Sequence, residues 1–347
     1  MDQIKMKHSR SVIAIAAIAL LPATIFGQTA LPASHTKTIH ARTNPQVAQH
    51  EAKSADAPAA TTYDYTLVSY PGTLNTLGVG INPSAIRGAG LDVVGAEFFP
   101  DDLSQTGFLA NISESENGVT ERYQLLNDPQ APTPQQSYSI NDYGVVVGDY
   151  IDAAGIFHSY VYDCGQFKKF DVPFAGATGT YSPAINNAGE IVGSWNDSAG
   201  NAHSYTLING KFVSFDVPGS AQSQLYYGIN SQGEITGSYA DASGVIHGFL
   251  KKGNTYTTID FPGGTYTVPS GINDAGVIVG GYCLTSDCAN TGDGEMGFLL
   301  SKGVFTSVNV PSEPIQAVAS INDDGVIMGN YIDAAGYVYT YVGVPQP

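Results

Sequence analysis

Hydrophobic positions in this chain come in short bursts and not in long runs. From about residue 63 onward, stretches rich in Val, Ile, Tyr, Phe and Thr are cut off by Asn, Asp and Gly. That is the pattern of half-buried β-strands joined by hairpin turns. No window carries a sustained helical period, and 40 Gly and 19 Pro point the same way.

The bursts repeat. Aligned on an Ile-Asn pair, six copies stand at Ile81-Asn82, Ile140-Asn141, Ile185-Asn186, Ile229-Asn230, Ile272-Asn273 and Ile321-Asn322. The steps between them are 59, 45, 44, 43 and 49 residues, so the two longer ones carry insertions. After Ile-Asn comes a Gly, then a hydrophobic stretch ending in Gly: GVVVG (144–148), GEIVG (189–193), GEITG (233–237), GVIVG (276–280) and GVIMG (325–329). An aromatic follows at Tyr150, Trp195, Tyr239, Tyr282 and Tyr331. A turn comes next, DAAG at 152–155, DSAG at 197–200, DASG at 241–244 and DAAG at 333–336, and the unit closes on an aromatic strand such as FVSFDVP (212–218).

Four strands in a unit of 43–45 residues is the blade of a β-propeller. A solenoid is the rival, but its repeats are usually shorter and its ends need caps. The chain ends favour the propeller. The last copy stops after its third strand, while YTLVSYPG, Tyr65 to Gly72, matches the closing strand FVSFDVPG in spacing, aromatic start and Pro-Gly exit. The sequence therefore predicts an all-β, six-bladed propeller of four-stranded blades, with residues 65–71 beside 337–343 to complete the last one.

Outside the repeats, residues 1–30 read as a secretory signal: Lys5, Lys7 and Arg10 precede VIAIAAIALLPATIF, a run too short and too broken by Pro22 for a span of roughly 20 residues. Residues 31–62 are polar, Ala/Pro/Thr-rich and without period, as in a flexible linker, and 63–347 form the propeller domain. No membrane span is expected after signal cleavage. The net charge of −17 becomes about −19 once Asp2, Lys5, Lys7 and Arg10 leave, and such a surface repels nucleic acid and anionic membrane.

Of the three cysteines, Cys283 and Cys288 flank LTSD in the fifth-copy insertion and are candidates for a local disulfide in a secreted chain. Cys164 stands at the hairpin position that Asn209 holds in the next copy. Taken together, repeats of the form IN-x-x-G-x-I-V-G-x-Y-x-D-x-x-G-x-x-H-G-F, ending in an F-x-x-I-D-x-P strand, resemble the HAF-repeat family of extracellular bacterial proteins. INSQGEITGSYADASGVIHGFLKKGNTYTTIDFP, 229–262, matches almost throughout; the likeness covers 65–345 and weakens in the first and fifth copies. It implies secretion, and it carries no chemistry over to any residue.

His158, His203 and His247 recur at one repeat position, where Thr106, Met296 and Tyr339 stand in the other copies. On the third strand from the axis they lie on the order of 15 Å out, with similar separations between neighbours. They cannot converge on one zinc, which needs nitrogens at about 2.0–2.1 Å. A hydrogen bond to a neighbouring turn or strand is expected instead. Asp152, Asp197, Asp241 and Asp333 open tight turns, where Asp bonds backbone amides and Gly supplies a positive φ. The Asn after each Ile is expected to knit adjacent blades. No calcium loop, phosphate loop, zinc signature or nucleophile elbow is present, and neither metal nor cofactor is expected.

Departures from repetition are where chemistry is to be sought. They comprise the first-copy insertion (Glu97 to Glu121), the fifth-copy loop (Asp287, Asp293, Glu295), and the arms AGATGTYSP and GSAQSQLYYG. Arg87 and Arg122 are the only arginines of the ring, which disfavours a sialidase-like carboxylate site. The leading reading is a secreted, non-enzymatic binding or scaffold module, monomeric, for an extracellular glycan or protein. The alternatives are a polysaccharide hydrolase or lyase using acids of the non-repeating loops, and a purely structural surface component. Tyr226 and Tyr227, on the face of the Asp-x-x-Gly turns and the long connections, are the candidate ligand-binding aromatics.

Overall fold

The computed structural model describes residues 38–40, 62–68, 75–83, 90–98, 105–115, 118–128, 135–286, 288, 294–308, 315–332 and 338–346. The signal segment 1–30, most of the linker 31–62 and the loop acids Asp101, Asp102, Asp287 and Asp293 lie outside them. Among the described residues, no helix is long and apolar enough to cross a membrane.

The architecture is an all-β propeller of six radially arranged antiparallel blades. The third blade shows the plan: Gly179–Ile185, Ile191–Asn196, Ala202–Ile208 and Lys211–Phe215 pair in sequence order. The Ile-Asn strand is innermost, and the inner strands neighbour one another around the axis, Ile315–Ile321 meeting Asn75–Ile81 to close the circle. Burial follows radius. The inner strand is nearly all buried and the outer one mostly exposed, so apolar content falls along each repeat.

The second-strand glycines repeat for a packing reason. A Cβ on Gly193 would stand 2.0 Å from the Tyr181 carbonyl oxygen and 2.5 Å from the Tyr205 ring. Gly148, Gly280 and Gly329 are likewise covered by Tyr160, Phe298 and Tyr341. The recurring aromatics thus lie flat over glycine within their own blade and also join clusters shared with the next blade, as Phe249 does with Val192. Every inner strand slips register once, at a bulge before Gly80, Ser139, Ala184, Gly228, Gly271 and Ser320. Small residues follow the bulge because adjacent inner strands nearly touch; a Cβ on Gly80 would sit 2.4 Å from the Tyr138 oxygen.

Tyr63–Val68 is the fourth strand of the sixth blade, antiparallel to Val338–Pro345 in the register Tyr63↔Pro345 through Val68↔Thr340. Thr38–His40, inside the segment read as a linker, adds a short strand outside it. The long first step is an extended hairpin, Gln105–Ser115 with Gly118–Leu126. Cys283 and Cys288 are joined by a disulfide in the fifth-copy insertion. Cys164 is exposed and takes the same left-handed turn position (φ 48°) as Asn209 (φ 51°) and Lys302 (φ 50°).

Candidate binding site at the axial mouth

Where the inner strands end, the repeat builds three stacked rings around the axis. The lowest is a collar of six buried isoleucines, Ile81, Ile140, Ile185, Ile229, Ile272 and Ile321. Above it the asparagines link blade to blade: Asn141 Nδ2 donates to the Asn186 oxygen (3.2 Å), Asn186 to Asn230 (3.1 Å), Asn230 to Asn273 (3.2 Å) and Asn273 to Asn322 (3.0 Å). Each of these four donors also holds its own turn through Oδ1, as Asn230 does by accepting from Glu234 N at 2.9 Å. At the seam between sixth and first blades the chain of amides stops, and Asn322 Nδ2 has no partner among the described residues.

The outermost ring is formed by the next residue in each copy: Pro83, Asp142, Asn187, Ser231, Asp274 and Asp323. Hydrogen bonds tie several of its neighbouring members together. Asp142 N donates to Asn187 Oδ1 (2.9 Å) while Asn187 Nδ2 returns a bond to Asp142 Oδ2 (2.7 Å). Ser231 donates through N and Oγ to Asp274, Asp274 N donates to Asp323 Oδ1 (2.7 Å), and Asp323 N donates to the Pro83 oxygen (2.7 Å). Asp323 is pushed above the usual carboxylate range by partial burial, with Asp274, Asp142 and Asp324 adding like charge.

The cavity at this mouth is about 50 Å³. That is room for a few waters and far below the several hundred Å³ of a drug-sized site. A ligand would therefore rest on the rim. Beside Asp142, in the Asn-Asp-x-Gly turn, Tyr143 is 76% exposed, and it is the one exposed aromatic among the described residues. The other copies have Ser84, Ala188, Gln232, Ala275 and Asp324 at its position. A flat ring that follows a carboxylate in the chain can cover an apolar sugar face while the carboxylate accepts from a sugar hydroxyl.

The residues singled out from sequence are distributed differently. Tyr226 and Tyr227 have their backbone in the inner strand Gln222–Ile229, at its bulge, and not in the connection before it; their side chains lie outside the described residues. On the opposite face from the mouth, the Asp-x-x-Gly turns carry the half-exposed Ile156 and Val245. Glu97 is buried, its carboxylate accepting from Thr76 Oγ1 at 3.0 Å. Glu295 is 2% exposed, lies over Gly281, and burial raises its carboxyl to about 8. Asp149, buried between second and third blades, is raised to about 8 by the same cause, against bonds from Ser159 Oγ (2.9 Å) and Ser182 N (3.0 Å). Sequence reasoning missed Tyr143 as a site residue; its signal was one aromatic at a turn position otherwise small or polar.

Each of the three histidines is held inside its own blade. His158 stands 2.9 Å from Asp171 and 3.3 Å from Asp152, His203 3.0 Å from Asp216 and 3.4 Å from Asp197, and His247 2.9 Å from Asp260 and 3.6 Å from Asp241. Their rings stack on Tyr150, Trp195 and Tyr239. Among the described residues no group of three or more His, Cys, Asp or Glu is arranged to hold a metal.

Fold and rim define a β-propeller with a closed axial mouth. No protein-family model matches the chain, and no curated protein matches its sequence. Solved structures do. A mutant Aleuria aurantia lectin in complex with alpha-methyl-L-fucoside aligns with TM-score 0.50 and 10% identity over 80% of this chain and 97% of the lectin. TolB from Acinetobacter baumannii aligns with TM-score 0.50 and 11% identity over 74% of this chain and 63% of TolB. A gluconolactonase from Xanthomonas campestris aligns with TM-score 0.45 and 11% identity over 91% and 99% of the two chains. At such identities the likeness is one of fold.

Proposed function

We propose that this protein is a secreted, non-enzymatic β-propeller of the HAF-repeat kind that binds a glycan at its axial rim. The observation that carries the reading is Tyr143, the one exposed aromatic among the described residues, which follows Asp142 of the polar ring in the chain. A sugar ring laid on Tyr143 would bury its apolar face and offer hydroxyls to the carboxylates and amide. The fold is compatible with such use, since the Aleuria aurantia lectin that shares it holds a fucoside. The polysaccharide hydrolase or lyase reading draws less support: Glu97 and Glu295, the non-repeating acids whose side chains are described, are buried at 0% and 2% exposure.

The test is retention of wild type and Tyr143→Ala on immobilised polysaccharides. Retention on at least one matrix by the wild type, reduced at least about tenfold in the variant, is the expected result, tenfold corresponding to about 1.4 kcal/mol. A variant that melts normally and is retained as well as wild type would sink the proposal.

A further inference from the structure

Three adjacent blades carry one device that packing alone does not require. In each, a histidine bridges two carboxylates that belong to different elements. One is in the Asp-x-x-Gly turn (Asp152, Asp197, Asp241), and the other follows the outer strand (Asp171, Asp216, Asp260). One ring nitrogen faces each carboxylate. A neutral imidazole has a single N–H, so it can donate to one partner and must turn a lone pair toward the other. The imidazolium satisfies both. The shorter contact is always to the outer-strand aspartate, at 2.9–3.0 Å, and the turn aspartate lies at 3.3–3.6 Å.

The contact surrendered on deprotonation is therefore the one to the turn. We propose that the Asp–His–Asp bridges are proton-operated locks that hold the Asp-x-x-Gly turns to the outer strands while the imidazole is protonated and release them when it is neutral. The turn's own hydrogen bonds use the other oxygen: Asp152 Oδ1 accepts from Ala154 N and Ile156 N, and Asp241 Oδ1 from Ser243 N and Val245 N. Proton loss thus loosens the turn without dismantling it.

The charged and titratable surroundings differ from blade to blade in a way that orders the effect. His158 faces Asp152, Asp171 and the Tyr150 ring, with Lys169 Nζ 5.0 Å from that ring's centre and itself 3.0 Å from Asp128. His247 faces Asp241, Asp260 and Tyr239. His203 faces Asp197, Asp216 and Trp195, and Asn201 Nδ2 also donates to Asp197 Oδ2 at 2.9 Å. Asn201 keeps the third-blade turn tethered when the proton leaves, so release is larger in the second and fourth blades. The His203 imidazole is raised above its ordinary value by its two carboxylates, Asp216 and then Asp197, which outweigh burial. Its stabilisation is complete below that ordinary value, about 6.5, and fades as pH climbs through the folded one.

The experiment is a pH titration of the full chain by NMR. A free histidine-containing peptide in the same buffer is the reference. His203 should titrate above that reference. Protection of the Ser243 and Val245 amides, corrected for intrinsic exchange, should be lower with the imidazole neutral, at pH 8.5, than at pH 5.5. His247→Gln should abolish that fall in its blade, and Asp260→Asn should reduce it should the first variant fold poorly. A His203 that titrates with or below the reference, or turn protection that does not change with pH in wild type, would overturn the proposal.

Discussion

Glu295 lets the packing of one seam be read as a pH dependence. The second-strand position held elsewhere by Asp149, Ser194, Ser238 and Asn330 is Gly281 in the fifth blade. The Glu295 carboxylate fills that space, with Oε1 at 2.0 Å from where a Cβ on Gly281 would be, and this oxygen has no hydrogen-bond partner among the described residues. An ionised carboxylate there is costly, and burial moves the group from 4.5 to about 8. The protonated form is the one that folding favours. Stability is thus highest below the unfolded value of 4.5 and declines as pH rises to about 8, by on the order of 5 kcal/mol, and is flat above that. Asp149 tilts stability the same way between 3.8 and about 8, so wild type declines through both groups. Glu295→Gln replaces the acid by a neutral side chain of its shape and removes one of the two terms. At pH 5 the variant should match wild type to about 1 kcal/mol; at pH 8.5 it should be more stable by up to about 5 kcal/mol, or roughly 10 °C in melting temperature for a domain of this size. Urea unfolding and thermal melts at both pH values measure the difference. Parallel pH profiles in the two proteins would refute the reasoning.

Two further outcomes follow from the packing. Gly193→Ala drives a methyl group to 2.0 Å from the Tyr181 backbone oxygen and should destabilise by about 3 kcal/mol, read by chemical denaturation; a loss below about 0.5 kcal/mol would show that the aromatic over glycine is not tightly fitted. Removing residues through Val68 strips the sixth blade of the buried Tyr63, Tyr65 and Val68, about 6 kcal/mol at roughly 2 kcal/mol each, and should lower the melting temperature by at least about 10 °C. Removing residues only through 61 should shift it by no more than about 3 °C.

Much of this architecture was legible in the residues because repetition amplifies weak local signals. One Ile-Asn pair or one GEIVG says little. Six copies at near-constant spacing, with a last copy short of one strand and a matching strand at the other end, specify four-stranded blades and their number. The Asp-x-x-Gly and Asn-x-x-Gly turns were equally readable, since Asp and Asn bond the amides two and four residues on, and Gly takes the positive φ. Those interactions are local, so sequence contains them.

What tertiary structure alone decided are the contacts across blades and between strands far apart in the chain. The second-strand glycines look like turn or bulge signals until Tyr205 and its equivalents are seen lying on them. The bulge in each inner strand has no residue signature beyond a small side chain after it, because its cause is the closeness of the neighbouring inner strand. The histidines read as structural, but their second carboxylates, thirteen residues away just past the outer strand, required the sheet to be built. Glu97 and Glu295 read as loop acids, and burial is what closed them off. Tyr143 stands in a turn beside Asp142, and only the structure shows that its side chain is left exposed. In each instance the deciding force is packing or electrostatics between groups that sequence separates and the fold brings together.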